Sequence, residues 1–183
     1  MSGTRYEAAV PILVSWLKRM RSDGVANDAV CQSIVRTLTV PWAAGANESL
    51  IELFLSLDDS KSHSLKWATG NAIGVTSQPD DLPQLLRLVE DRKHGASRQM
   101  IVLALGKSRG APVEEVLFGL LSDQEVAGHA IMALGKIGSE NAISKIQPFL
   151  DHERRWWRVE AKKALERIAR NTRKHLQSRT IVR

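Results

Sequence analysis

The residues of this 183-residue chain best suited to catalysis or metal binding are five histidines, one cysteine and a scatter of carboxylates. His63, His94, His129, His152 and His175 never fall four residues apart, the helical spacing that lets two imidazoles grip one metal ion. In sequence only His152 adjoins a carboxylate, Glu153. Cys31 sits on the apolar side of the segment Asp28 to Leu38, with no neighbour to lower its pKa, and reads as a buried, inert thiol. A lone cysteine also excludes an intrachain disulfide or a cysteine-rich zinc site, and suits a reducing compartment. The run Gly106-Lys107-Ser108-Arg109-Gly110 lacks the strand and spacing of a phosphate loop and reads as a turn. These residues predict no catalytic group, no cofactor and no metal.

The segment Arg154-Arg155-Trp156-Trp157-Arg158 is the most distinctive. Neighbours on a helix point about 100° apart, which disfavours full entry of both indoles into one core. Two readings follow: both rings pack on the terminal helix as a cap covered by arginine stems, or one stays at the surface to stack on a base or fill a pocket on a partner protein, with Trp157 as the candidate contact. Trp16, Trp42 and Trp67 are expected in the core. Arg154, Arg155, Arg158, Lys162 and Lys163 are candidates for binding nucleic acid or an acidic partner.

Charge is segregated along the chain. The formal net charge is +6, yet from Asp151 onward eleven basic residues face four acidic ones, so this end carries +7 and residues 1–150 carry −1. Such asymmetry points to an acidic partner or to a solvated terminal helix. The longest apolar run, Ala8 to Leu17, is broken by Pro11 and Ser15 and is too short to span a bilayer. Only Arg5 precedes it and no small-x-small cleavage pattern follows, so neither a signal peptide nor a membrane association is expected, and the expected location is cytoplasmic.

The elements that position these residues repeat. Ala-Leu-Gly-Lys occurs at Ala104 to Lys107 and again at Ala133 to Lys136. With Gly74, Gly106, Gly135 and Glu166 as markers, the spacings are 32, 29 and 31 residues. An acid after an apolar run recurs at Asp59, Asp91, Asp123 and Asp151, spaced by 32, 32 and 28. Each unit then reads as two helices. The first is built of small and apolar residues, which let helix backbones approach closely, and its glycine is expected to close it in the left-handed conformation. The second is Leu-rich: Leu50 to Leu57, Leu82 to Val89, Val113 to Leu121 and Ile143 to Leu150, capped by Asn47, Asp80, the Ala111-Pro112 pair and Ser139. Tyr6 to Met20 reads as a starting helix. Strand-type alternation is absent over any useful length, so the fold class is all-α.

These features resemble the HEAT repeat, in the short bacterial type also found in phycobilisome lyase-like proteins. The residues that carry the likeness are the Ala-Leu-Gly-Lys cores, Ala142-Ile143, and the Leu-Leu-Ser-Asp and Phe-Leu-Asp endings at Leu120 and Phe149. The likeness covers roughly Ser60 to Ala169. It implies a right-handed α-solenoid of about five helical hairpins and roughly ten helices, with first helices on the convex side and second helices lining the concave side. The expected organisation is one solenoid over 1–170, irregular over 1–58 and regular over 59–170, followed by a basic tail over 171–183 that orders on binding.

Folds of this kind host many functions. HEAT-like hydroxylases carry a His-Glu pair in each first helix, but the matching slots here hold Trp67-Ala68, Gln99-Met100, Gly128-His129 and Val159-Glu160. Bilin lyase activity, a minor alternative implied by the likeness, has no pocket residues to support it. HEAT-like glycosylases cradle DNA in a basic face, whereas the second helices and caps here sum to −8, with ten acids opposed only by Arg87 and Lys145. The expected function is therefore a non-catalytic adapter or scaffold that holds a protein with a basic or helical surface through Arg87, Glu90, Glu114, Glu115, Phe118 and Trp157. The alternative is nucleic-acid binding through the basic C-terminal helix. Self-association of acidic groove and basic end is a third reading.

Overall fold

A computed structural model describes residues 6–22 and 27–180, and the described residues form ten α-helices and six 3-10 segments, with no strand among them. The chain divides into two compact units, Met1–Ile101 and Val102–Arg183.

The first unit holds α1 (Val10–Ser22), α2 (Asp28–Thr37), α3 (Asn47–Ser56), α4 (Asp59–Thr76) and α5 (Leu82–Glu90). Here α4 packs against both α2 and α3. Its sequence explains the placement: Ala68, Thr69, Gly70 and Ala72 are all buried, and a Cβ at Gly70 would lie 2.5 Å from the Ser97 carbonyl oxygen. Leu50, Ile51, Leu53, Phe54, Leu65, Ile73, Leu85 and Val89 fill the core. Cys31 is buried among them, as expected. Trp16 is 53% exposed, and Trp67 is also exposed, with its indole N–H donating to Gln99 Oε1 at 3.3 Å. The core expected for these two rings is made instead by shorter aliphatic chains, and Trp42 is half-buried, edge-on to Tyr6.

Helix α6 (Gln99–Leu105) spans the division between the units. The second unit holds α7 (Ala111–Leu120), α8 (Ala127–Ile137), α9 (Ile143–Ile146) and α10 (Arg155–Thr180). There α8 packs against α7 and, more extensively, against α10. Val113, Leu117, Ile131, Leu134, Ile146, Trp157, Ala161 and Ile168 form its core. The helix expected over Ile143 to Leu150 is α only to Ile146 and continues as a 3-10 turn, Gln147–Asp151, that contains Pro148, a residue without an N–H to donate. Past Asn171, where the tail is expected to begin, α10 runs on as helix. Thr172 donates its hydroxyl hydrogen to Glu140 Oε1 at 2.8 Å, and Asn171 packs over Gly138. Residues 181–183 of the expected tail lie outside the described residues, as do residues 1–5 and 23–26 of the expected irregular start.

The two repeat landmarks have clear physical roles. Asp91 and Asp123 each accept the backbone N–H two residues on, opening the turn into the next segment. Asp58, not Asp59, does this before α4, and His152, not Asp151, does it before α10, accepting from the Arg154 N–H at 3.1 Å. The marker glycines do not close helices. Gly106 and Gly135 have negative φ, and what they supply is space: a Cβ on Gly106 would stand 3.0 Å from Ala133 Cα, and one on Gly135 would stand 2.7 Å from Ala164 Cβ. The left-handed closure of α8 falls to Gly138 at φ 75°. Three expected caps do not cap, and two of them are engaged elsewhere. Asn47 is buried and accepts from the Thr76 hydroxyl, Asp81 rather than Asp80 takes the Gln78 N–H, and Ser139 donates to Glu114 Oε2 at 2.7 Å.

Candidate functional site

In the first unit the Leu-rich helices α3 and α5 flank a cavity of about 340 Å³, lined by Leu55, Gln84, Arg87, Leu88, Asp91 and His94. Helical spacing on α5 sets one wall: Gln84, Arg87 and Leu88 share a face, while Leu85 and Val89 turn inward. Leu55, on α3, is 49% exposed and gives the opposite wall an apolar rim. The Arg87 Nε donates back to the Pro83 carbonyl at 3.3 Å, which directs the guanidinium along the helix.

His94 forms the floor. It is 1% exposed, its ring lies edge-on to Phe54, and neither ring nitrogen has a hydrogen-bond partner. The nearest acid is Asp91, whose Oδ2 lies 3.7 Å from Nε2. Beneath it Lys66 is also buried, donating from Nζ to the Leu57 carbonyl at 2.8 Å and lying over the Phe54 ring. Burial lowers the Lys66 pKa. Burial first, and then the charge of Lys66, holds the His94 pKa below the ordinary histidine value of 6.5. In the other unit burial also lowers the His129 pKa, against the opposing pull of Glu160.

The sign of the resulting pH dependence is fixed. Below pH 6.5 the unfolded chain takes up protons at these histidines while the folded chain resists, so their contribution is complete above that pH and is lost as pH falls below it. The urea midpoint is therefore expected to drop between about pH 7 and pH 5.5, and His94→Leu is expected to flatten the drop. A midpoint that holds or rises on acidification contradicts the burial of these rings.

The remaining candidates separate into exposed and engaged groups. Glu90 and Glu115 are exposed. Glu114 is half-buried and tied to Ser139, and Phe118 is half-buried beneath the Lys145 ammonium. Trp157 is 5% exposed, packed against Phe149 and His152, so the surface role expected for it passes to Trp156, which is 45% exposed. Helix phase is the reason: Trp157 shares the inward stripe with Ala161, Ala164 and Ile168.

Of the five expected cations, Arg154 lies over the Trp157 ring and donates to the Gln124 carbonyl at 3.1 Å. Arg158 donates to the carbonyls of His152 and Glu153, and Lys163 pairs with Glu160 at 2.8 Å. Arg155 and Lys162 are exposed. The sequence reading missed Leu55, Gln84 and His94 as cavity walls. It also missed the His63–Asp59 pair, whose 3.2 Å contact follows from a four-residue spacing on α4. Among the described residues no three His, Cys, Asp or Glu side chains gather as metal ligands, and no helix is long and apolar enough to cross a membrane. Comparison with protein-family models, with curated proteins and with solved structures finds no match to this chain.

Proposed function

We propose that this chain is a non-catalytic, HEAT-like protein-binding adapter, built as a solenoid whose Leu-rich helices receive a partner segment. The observation that carries the reading is the cavity between α3 and α5, the two segments that the sequence suggests as successive Leu-rich second helices. Leu55 and Leu88 suit an apolar anchor residue of the partner. On the same two helices the exposed carboxylates Glu48 and Glu90 favour basic flanking residues on that partner, while Glu52 is already paired with Lys18 at 3.9 Å. Glu115, exposed on α7, is the corresponding contact in the second unit.

Affinity capture by the full chain from nuclease-treated lysate tests this reading. A stoichiometric protein partner is expected, with at least a tenfold loss of affinity in Leu55→Asp and in Glu90→Lys combined with Glu115→Lys. Capture that is indifferent to these substitutions, or that vanishes with nuclease, would overturn it.

A further inference from the structure

We infer that the second unit carries a separate site, along the α8–α10 groove, for a short stretch of single-stranded nucleic acid. The residue after each of the last three marker positions is a cation, Lys107, Lys136 and Arg167, whereas Val75 follows the first. The glycine markers bring successive helices together: Gly106 faces Ala133 and the Lys136 Cβ, and Gly135 faces Ala164. The close approach of these helices brings the positions one residue further on, Lys107, Lys136 and Arg167, onto successive helices near the same contact. Their proximity registers at Lys136, where burial and the charges of Arg167 and Lys107 lower the pKa.

Beside these cations is a groove of about 420 Å³ whose walls include Met132, Lys136, Lys163, Arg167 and Arg170. Glu160 lies in the same groove but is neutralised by Lys163 at 2.8 Å. Glu166 is the remaining acid there, which limits the site to a few phosphates. Among the described residues Lys136, Arg167 and Arg170 have no carboxylate partner.

Nearer the start of α10, on the helix face that also carries Lys163 and Arg167, the Trp156 indole is seated on Gly128, where a Cβ would overlap it, and tilts against His129 with ring centroids 5.2 Å apart. Eleven residues of helix separate Trp156 from Arg167, about 16 Å at 1.5 Å per residue. An exposed ring held at one end and cations at the other match a chain of bases and phosphates, with one base stacked on Trp156 and the backbone running onto Lys136, Arg167 and Arg170. A duplex hides its bases from such a ring. A polyanion without bases leaves the ring unused.

The test is fluorescence anisotropy of the full chain with a short labelled oligothymidylate across a salt series. Three contacted phosphates predict a log–log slope near −2, at about 0.7 per contact for single strands. Lys136→Gln combined with Arg167→Gln alters exposed side chains and is expected to remove most of that slope and at least tenfold in affinity. Trp156→Ala is expected to cost about tenfold while leaving the slope unchanged. Leu55→Asp, at the proposed protein site in the first unit, is expected to leave strand binding intact, so the two sites can fail independently. Absence of binding at low salt, affinity for heparin equal to that for the strand, or indifference to the substitutions in this groove would overturn the assignment.

Discussion

Gly135→Ala is expected to destabilise the second unit by about 2 kcal/mol, within the usual cost of overfilling a packed contact. The new methyl would stand 2.7 Å from Ala164 Cβ and 2.8 Å from Ala164 Cα. Neither atom can swing aside, because one is backbone and the other is fixed to it. Relief requires α8 and α10 to separate along their packed contact, on which Gly135 meets Ala164. The gain of about 1 kcal/mol that alanine brings to a helix interior is smaller than that cost. Gly119→Ala provides the opposite case on α7. A Cβ there meets nothing within 4 Å, so the propensity gain survives and stability is expected to rise by about 0.5–1 kcal/mol. Urea midpoints of the two variants check both signs. Equal responses would contradict the role of Gly135 as a spacer.

Arg98→Ala is expected to cost more, about 3–4 kcal/mol, counting lost charge-assisted hydrogen bonds and the cavity left behind. Arg98 is among the largest fully buried side chains in the chain. Its Nη1 donates to the Val89 carbonyl at 2.8 Å and its Nε to the Gly95 carbonyl at 3.0 Å. Those bonds tie the end of α5 to a turn in which Gly95 has φ 47° and ψ −140°, a conformation that side chains disfavour. Truncation leaves the buried Val89 carbonyl and the part-buried Gly95 carbonyl without that donor, a penalty that exceeds the relief of returning a cation to water. Arg98→Lys is expected to recover little, since an ammonium cannot present the guanidinium fork to two carbonyls in different directions. Thermal unfolding of the two variants measures this. A change within about 0.5 kcal/mol for Arg98→Ala would place the hold on this turn elsewhere.

The helices were largely legible in the sequence because their signals are local. Apolar spacing at three and four residues places α2, α5 and α7 to within about two residues of their observed ends. The roles of individual polar residues were less legible, because they depend on contacts made far along the chain. Asn47 looks like a cap, but Thr76, 29 residues away, is its partner. Ser139 looks like a cap, but it reaches Glu114 across 25 residues. The repeated glycine was correctly singled out and given the wrong task, since a closing turn and a close approach select the same residue. The choice between Trp156 and Trp157 turned on helix phase, and the stripe Ala161, Ala164 and Ile168 already pointed to Trp157 as the buried ring. Of the cavity on α5, Arg87 was named from sequence, while His94 was not. Its burial depends on α3 and α4 closing over it, which no local pattern records.

The most direct measurement is hydrogen–deuterium exchange of the full chain, alone and bound to the protein partner recovered by capture. Binding through the Leu-rich helices predicts slowed exchange over residues 47–56, 82–94 and 111–120, with α10 unchanged. Protection confined to residues 155–180, with the α3 and α5 segments exchanging as in the free chain, would contradict it and move the partner to the basic helix.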